Sequence, residues 1–134
     1  MHVRPIAHDD LPAVQALLVE GGWEQRAADL ARFAELVARS QVALVAVVDD
    51  AVVGFVRGLT DGISNGYISM LVVDPQHRKR GIGSALVRAC MGDNPDMTWV
   101  LRAARMGVVS FYEKLGFTVS TVAMERPRRR VGER

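Results

Sequence analysis

The run Val72-Val73-Asp74-Pro75-Gln76-His77-Arg78-Lys79-Arg80-Gly81-Ile82-Gly83-Ser84-Ala85-Leu86 has the residue types and spacing to hold a phosphate. It reads as a strand, a turn rich in cations and glycine, and a helix. Pro75 cannot donate to a sheet ladder, so the strand stops there. Ala85, Leu86, Val87, Ala89 and Cys90 recur as one apolar helix face. The first turn of that helix leaves backbone N–H groups without carbonyl partners. With the positive end of the helix dipole they make an anion site. Gly81 and Gly83 let an anion approach the backbone with no Cβ in the way. Arg78, Lys79 and Arg80 add positive charge. The dinucleotide fingerprint G-x-G-x-x-G breaks at Leu86, and no Gly-Lys-Ser/Thr run supplies a Walker loop. On its residues alone, the segment is either a phosphate loop or a basic turn capping a helix.

A second segment runs Ser110-Phe111-Tyr112-Glu113-Lys114-Leu115-Gly116-Phe117. Val108, Val109, Phe111, Tyr112 and Leu115 recur at helical spacing. Gly116 sits where a left-handed helix stop belongs, and Phe117-Thr118-Val119 starts a strand. On its residues alone, Tyr112 reads as a core aromatic with its hydroxyl satisfied. Taken together, Arg78-x-x-Gly81-x-Gly83 after a Val-Val-Asp-Pro strand end, and the Phe-Tyr-Glu-Lys-Leu-Gly-Phe run, resemble two motifs of the GNAT family of N-acetyltransferases. These are its pyrophosphate loop and the tyrosine segment after its fifth strand. The resemblance covers residues 67–124; the first half of the chain matches in its order of elements.

The resemblance implies an α/β fold with a mixed central sheet of about six to seven strands flanked by about four helices. The fourth and fifth strands would run parallel and splay apart, and acetyl-CoA would enter the cleft between them as co-substrate. Backbone groups of Leu71, Val72 and Val73 would serve the pantetheine arm by strand addition, a mode that needs no special side chains. Val72 and Val73 are therefore equally well plain sheet residues. Arg78, Lys79, Arg80, Gly81, Ile82, Gly83 and Ser84 would hold the pyrophosphate. The implied reaction moves an acetyl group to an amine of a small molecule or protein by direct attack in a ternary complex, with no metal. Tyr112 would be the general acid for the departing thiolate, a role suited to a phenol with a pKa of ~10.

Relatives often place Asp or Glu just before the Leu-x-Val segment of the fourth strand; here Ser69 and Met70 stand there. Asp61, Glu24 and His8 are bases by type only, and Asp61 reads first as a turn former. Arg105 takes the place of an asparagine that often follows the fifth strand, where an arginine can meet a phosphate. Trp23 beside Gly21-Gly22 is either a wall of the acceptor pocket or packing at a helix junction. The missing carboxylate supports a rival reading, an acyl-CoA-binding regulatory or sensor module without turnover; Tyr112 argues against it. A homodimer through the last strand is plausible by analogy with relatives.

The elements that must position these residues are legible as a series. Val3 to Ala7 reads as a strand, and Asp9 or Asp10 caps a helix with Pro12 in its first turn. A second helix runs from about Gln25 to Arg39, with Leu30, Phe33, Ala34 and Val37 as its apolar stripe. Val42–Val48 and Ala51–Arg57 form a hairpin across Asp49-Asp50. Strands follow at Tyr67–Val73, Met97–Ala103 and Phe117 to about Met124, with the two motif helices between them.

A chain of 134 residues fits one domain, 1–125, followed by a basic tail at 126–134. Hydrophobic residues at 49% and charged residues at 24% exclude a disordered chain. The single cysteine, Cys90, excludes an internal disulfide and reads as buried packing. The net charge of +2 is a property of the tail: residues 125–134 hold five arginines and two glutamates, leaving the rest at −1. No aromatic residue interleaves those arginines, which argues against nucleic-acid binding and for a solvated, frayed end. With no apolar run of membrane-spanning length and no signal-peptide pattern, the expected compartment is the cytoplasm, with no membrane partner.

Overall fold

The computed structural model describes residues 1–23, 27–103 and 107–129. The chain divides into two units, Met1–Arg102 and Ala103–Arg134. The first contains a sheet with strands in sequence order: β1 (His2–Pro5), β2 (Val42–Val48), β3 (Ala51–Thr60), β4 (Asn65–Val73) and β5 (Thr98–Leu101). The first four pair antiparallel and β5 runs parallel to β4. Asp49 and Asp50 both take left-handed φ, 50° and 64°, the two-residue turn whose twist suits a hairpin.

Helix α1 (Leu11–Glu20) and helix α2 (Leu30–Ala38) cover one face. Leu11, Val14 and Leu18 of α1 and Phe33 of α2 pack with Val45, Val47, Phe55, Met70 and Val72. Phe33 meets Phe55 edge-to-face, ring centroids 6.0 Å apart. Helix α3 (Ile82–Met91) buries Ile82, Leu86, Val87 and Cys90. Two β3 glycines let it approach: a Cβ on Gly54 would lie 2.9 Å from Leu86 Cδ1, and one on Gly58 would lie 2.6 Å from Cys90 Sγ. Cys90 is buried as expected, and desolvation pushes its thiol up to about 11.

Several element bounds differ from the sequence reading. Asp10 is the N-cap residue of α1, yet its carboxylate makes no cap bond; it accepts from Arg4 and from Ala7 N. The second helix is shorter than expected because Asp29 caps it, accepting from Arg32 N. Residues 24–26, where that helix was expected to begin, lie outside the described residues. Five strands form among the described residues, fewer than the six to seven expected. The expected last strand, 117–124, is irregular, and Ser120 Oγ accepts from Val122 N and Ala123 N, a local turn that competes with strand pairing.

The second unit contains α4 (Val108–Glu113). Gly116, at φ 95°, ends it in the expected way. Phe117 N donates to Tyr112 O (3.1 Å) and Gly116 N to Glu113 O (3.1 Å), the paired bonds of a Schellman stop. The apolar contact that accompanies such a stop is Tyr112 against Phe117, ring centroids 5.7 Å apart.

Candidate active site

The site begins where β5 ends and β4 runs on. The parallel pairing runs from Asn65↔Thr98 to Ile68↔Leu101, while β4 continues to Val73. Residues 70–73 therefore pair with β3 on one side and, among the described residues, with no strand on the other. Leu71, Val72 and Val73 lie on this open edge. Val72 is buried in the core, and Leu71 and Val73 are half-buried, so what they offer outward is backbone. The register with β3 also shifts here. Arg57 opposes Met70 and Gly58 opposes Ile68, which leaves Ser69 as the extra residue of a β-bulge.

Asp74 turns the chain out of β4. Its N–H donates to Val53 O (2.8 Å), its Oδ1 accepts from Gln76 N (3.2 Å), and its Oδ2 lies 2.9 Å from His77 Nδ1. A single 3-10 turn, Pro75–His77, follows. Lys79 then takes φ 64° and Gly81 φ 79°, and Gly81 is the N-cap of α3. Left-handed residues alternating with ordinary ones turn successive N–H groups toward a common concavity. The first helical bond is Ala85 N to Gly81 O (3.0 Å), so the N–H groups of Ile82, Gly83 and Ser84 have no carbonyl partner in the helix. Nothing stands within 4 Å of where a Gly81 Cβ would be. Arg78, Lys79 and Arg80 are exposed and form no ion pair among the described residues. Ile82 is buried, so only its backbone can serve a ligand. These donors, the open space and the charge fit a diphosphate.

The base candidates fare differently. Asp61 Oδ1 accepts from Ile63 N, Ser64 N and Asn65 N, and its Oδ2 from Ser64 Oγ. Those donors, Ser64 N first, hold its carboxyl well below the usual range, which makes it a turn former and a poor base. His8 is exposed in the 3-10 turn His8–Asp10. Glu24 and Arg105 lie outside the described residues. Trp23 packs against the α1/α2 core. The adjoining Gly21 lies on β4: a Cβ there would be 3.0 Å from Val72 Cγ2.

In the second unit, Tyr112 lies between the rings of Phe111 and Phe117. Burial pushes its phenol above the ordinary value, so at neutral pH it is a proton donor and not a base. Its hydroxyl makes no hydrogen bond among the described residues.

Sequence reasoning missed Arg57. It is 7% exposed on β3, with Nε donating to Ser40 Oγ (2.7 Å) and one terminal nitrogen donating to Ser69 Oγ (2.8 Å). The available signal was a lone arginine within the apolar run Val52 to Leu59.

A β4 edge that runs on past the end of its parallel partner toward a glycine-bearing anion loop fits the GNAT fold, and the comparisons agree. A family profile described as the acetyltransferase (GNAT) domain matches residues 39–119, and the chain belongs to this family. It is 34% identical over 104 residues to an uncharacterised N-acetyltransferase, YafP, of Escherichia coli, covering 78% of this chain and 61% of that protein. It is 39% identical over 69 residues to the mycothiol acetyltransferase of Brachybacterium faecium, covering 52% of this chain and 19% of that one. The chain thus spans less than two thirds of the length of either relative. Among solved structures, a GNAT-family acetyltransferase of Streptococcus pneumoniae superposes with a TM-score of 0.76 at 26% identity, covering 96% of this chain and 97% of that one. No helix among the described residues is long and apolar enough to cross a membrane, and no group of three or more His, Cys, Asp or Glu side chains there could hold a metal.

Proposed function

We propose that this chain is an N-acetyltransferase that moves an acetyl group from acetyl-CoA to an amine by direct attack in a ternary complex. The observation that carries the reading is the open β4 edge at 70–73 running directly into the Lys79–Ser84 loop. A pantetheine arm can add to that edge as an extra strand while the pyrophosphate takes the loop N–H groups and the neighbouring cations. The amine attacks the thioester carbonyl, the C–S bond breaks, and the thiolate takes a proton. Tyr112, assigned by the family motif, is a fitting donor because burial keeps its phenol protonated. Ser69 and Met70 supply no carboxylate, so the acceptor's proton leaves through water or the amine arrives neutral. The acceptor is an amine of a small molecule or protein, and the working compartment is the cytoplasm.

The same Ser69 and Met70 favour a second reading, an acyl-CoA sensor without turnover. Thiol release from acetyl-CoA across a panel of primary amines separates the two. Release that falls in Tyr112→Phe, with acetyl-CoA affinity retained, supports the enzyme. Tight acetyl-CoA binding with no release across the panel supports the sensor.

A further inference from the structure

Burying a guanidinium costs several kcal/mol unless its donors are met, so Arg57 in an apolar strand needs a reason. Its contacts supply one. Nε reaches Ser40 Oγ just beyond α2, and Ser40 Oγ donates onward to Leu36 O (2.8 Å). The terminal nitrogen reaches Ser69 Oγ, which is also nearly buried, at 8% exposure. One side chain thus ties the end of α2 to the extra residue of the β4 bulge. Beyond that residue the strand resumes its register, Met70 to Val73 against Arg57 to Gly54, and it is this stretch that β5 leaves open. A bulge changes a strand's direction and twist, and a slip of one residue turns its side chains to the other face.

We infer that Arg57 is a positioning residue for acyl transfer. Acting through Ser69, it pins the bulge and so fixes how the Met70–Val73 edge presents its backbone to the thioester arm of acetyl-CoA. The inference rests on the acetyltransferase reading of the site. Lysine cannot replace it, because a single ammonium does not fork between hydroxyls on two elements as a guanidinium does. A hydrogen bond with a charged donor is among the stronger ones, so losing it releases the bulge appreciably.

Amide hydrogen exchange on the full chain, with and without acetyl-CoA, reads this without any knowledge of the amine. In the wild type, acetyl-CoA slows exchange at the loop, Gly81 to Ser84, and at the edge, Met70 to Val73. In Ser69→Ala and Arg57→Lys the ligand-dependent slowing at Met70–Val73 falls about ten-fold, the change one charge-assisted hydrogen bond corresponds to, while slowing at the loop persists. Ser69→Thr keeps a hydroxyl and restores the wild-type pattern. If Arg57→Lys does not fold, Ser69→Ala tests the same contact. Equal slowing of the edge in Ser69→Ala and wild type overturns the inference and leaves the acetyltransferase reading standing. Loss at edge and loop together in Ser69→Ala overturns it too, because that marks general damage. A wild type with no ligand-dependent slowing at the loop overturns the acetyltransferase reading, and the inference with it.

Discussion

The indole of Trp99 occupies the space a side chain at Gly66, its partner in the parallel pairing of β5 with β4, would need. A Cβ at Gly66 would overlap ring atoms Cε3, Cζ3 and Cη2. The ring therefore packs across the parallel pairing, over a position where β4 carries no side chain. Gly66→Ala is expected to lower stability by about 1–3 kcal/mol through overpacking. A thermal melt checks this, and an unchanged midpoint would contradict the packing.

Lys79 holds a left-handed backbone, φ 64°, which costs an ordinary side chain about 1–2 kcal/mol. Lys79→Gly relieves that strain but adds freedom to the unfolded chain, so the net gain in stability is up to about 1 kcal/mol. The same change removes a cation from the loop and weakens acetyl-CoA binding, most visibly at low salt. A melt without ligand and a titration with it should move in opposite directions. A fall in both would show that the lysine side chain, and not the loop's backbone geometry, holds the site together.

Asp10 should make stability depend on acid pH. The Arg4 guanidinium (2.6 and 3.0 Å), with help from Ala7 N (2.6 Å), holds its carboxyl below the usual range against the opposing effect of burial. Its folded value lies below the unfolded value of about 3.9. The stabilisation is therefore fully present above that unfolded value and is lost as pH falls through the folded one. Asp10→Asn is expected to cost about 1.5–3 kcal/mol at neutral pH, the range for a hydrogen bond to a charged group. Denaturant titrations of both proteins across acid pH should show the gap closing below about pH 4. A constant gap would remove Asp10 from the acid response.

Local signals were the ones the sequence carried well. Gly116 as helix stop is a demand of a single residue's φ, and it stands where the pattern placed it. So does the Asp49-Asp50 hairpin. The parallel partnership of β4 and β5 came from the family motifs, because alternation along one strand does not name its neighbour. The Ser69 bulge was hidden for the same reason: an extra residue is defined by the opposing strand, and Tyr67 to Val73 reads as an unbroken strand without it. Arg57 read as the polar end of a hairpin strand, since its burial depends on Ser40 and Ser69, 17 and 12 residues away. The expected strand at 117–124 depended on long-range pairing, and Ser120 bends it locally instead.

The central claim is that the open β4 edge and the Lys79–Ser84 loop bind acetyl-CoA. Titration calorimetry of the full chain with acetyl-CoA, beside Gly83→Glu, tests it most directly, because glutamate places bulk and negative charge where the pyrophosphate must sit. The account predicts micromolar binding by the wild type and none by a folded Gly83→Glu variant. A folded wild type that binds no acetyl-CoA, or a Gly83→Glu variant that binds it equally well, would contradict the account.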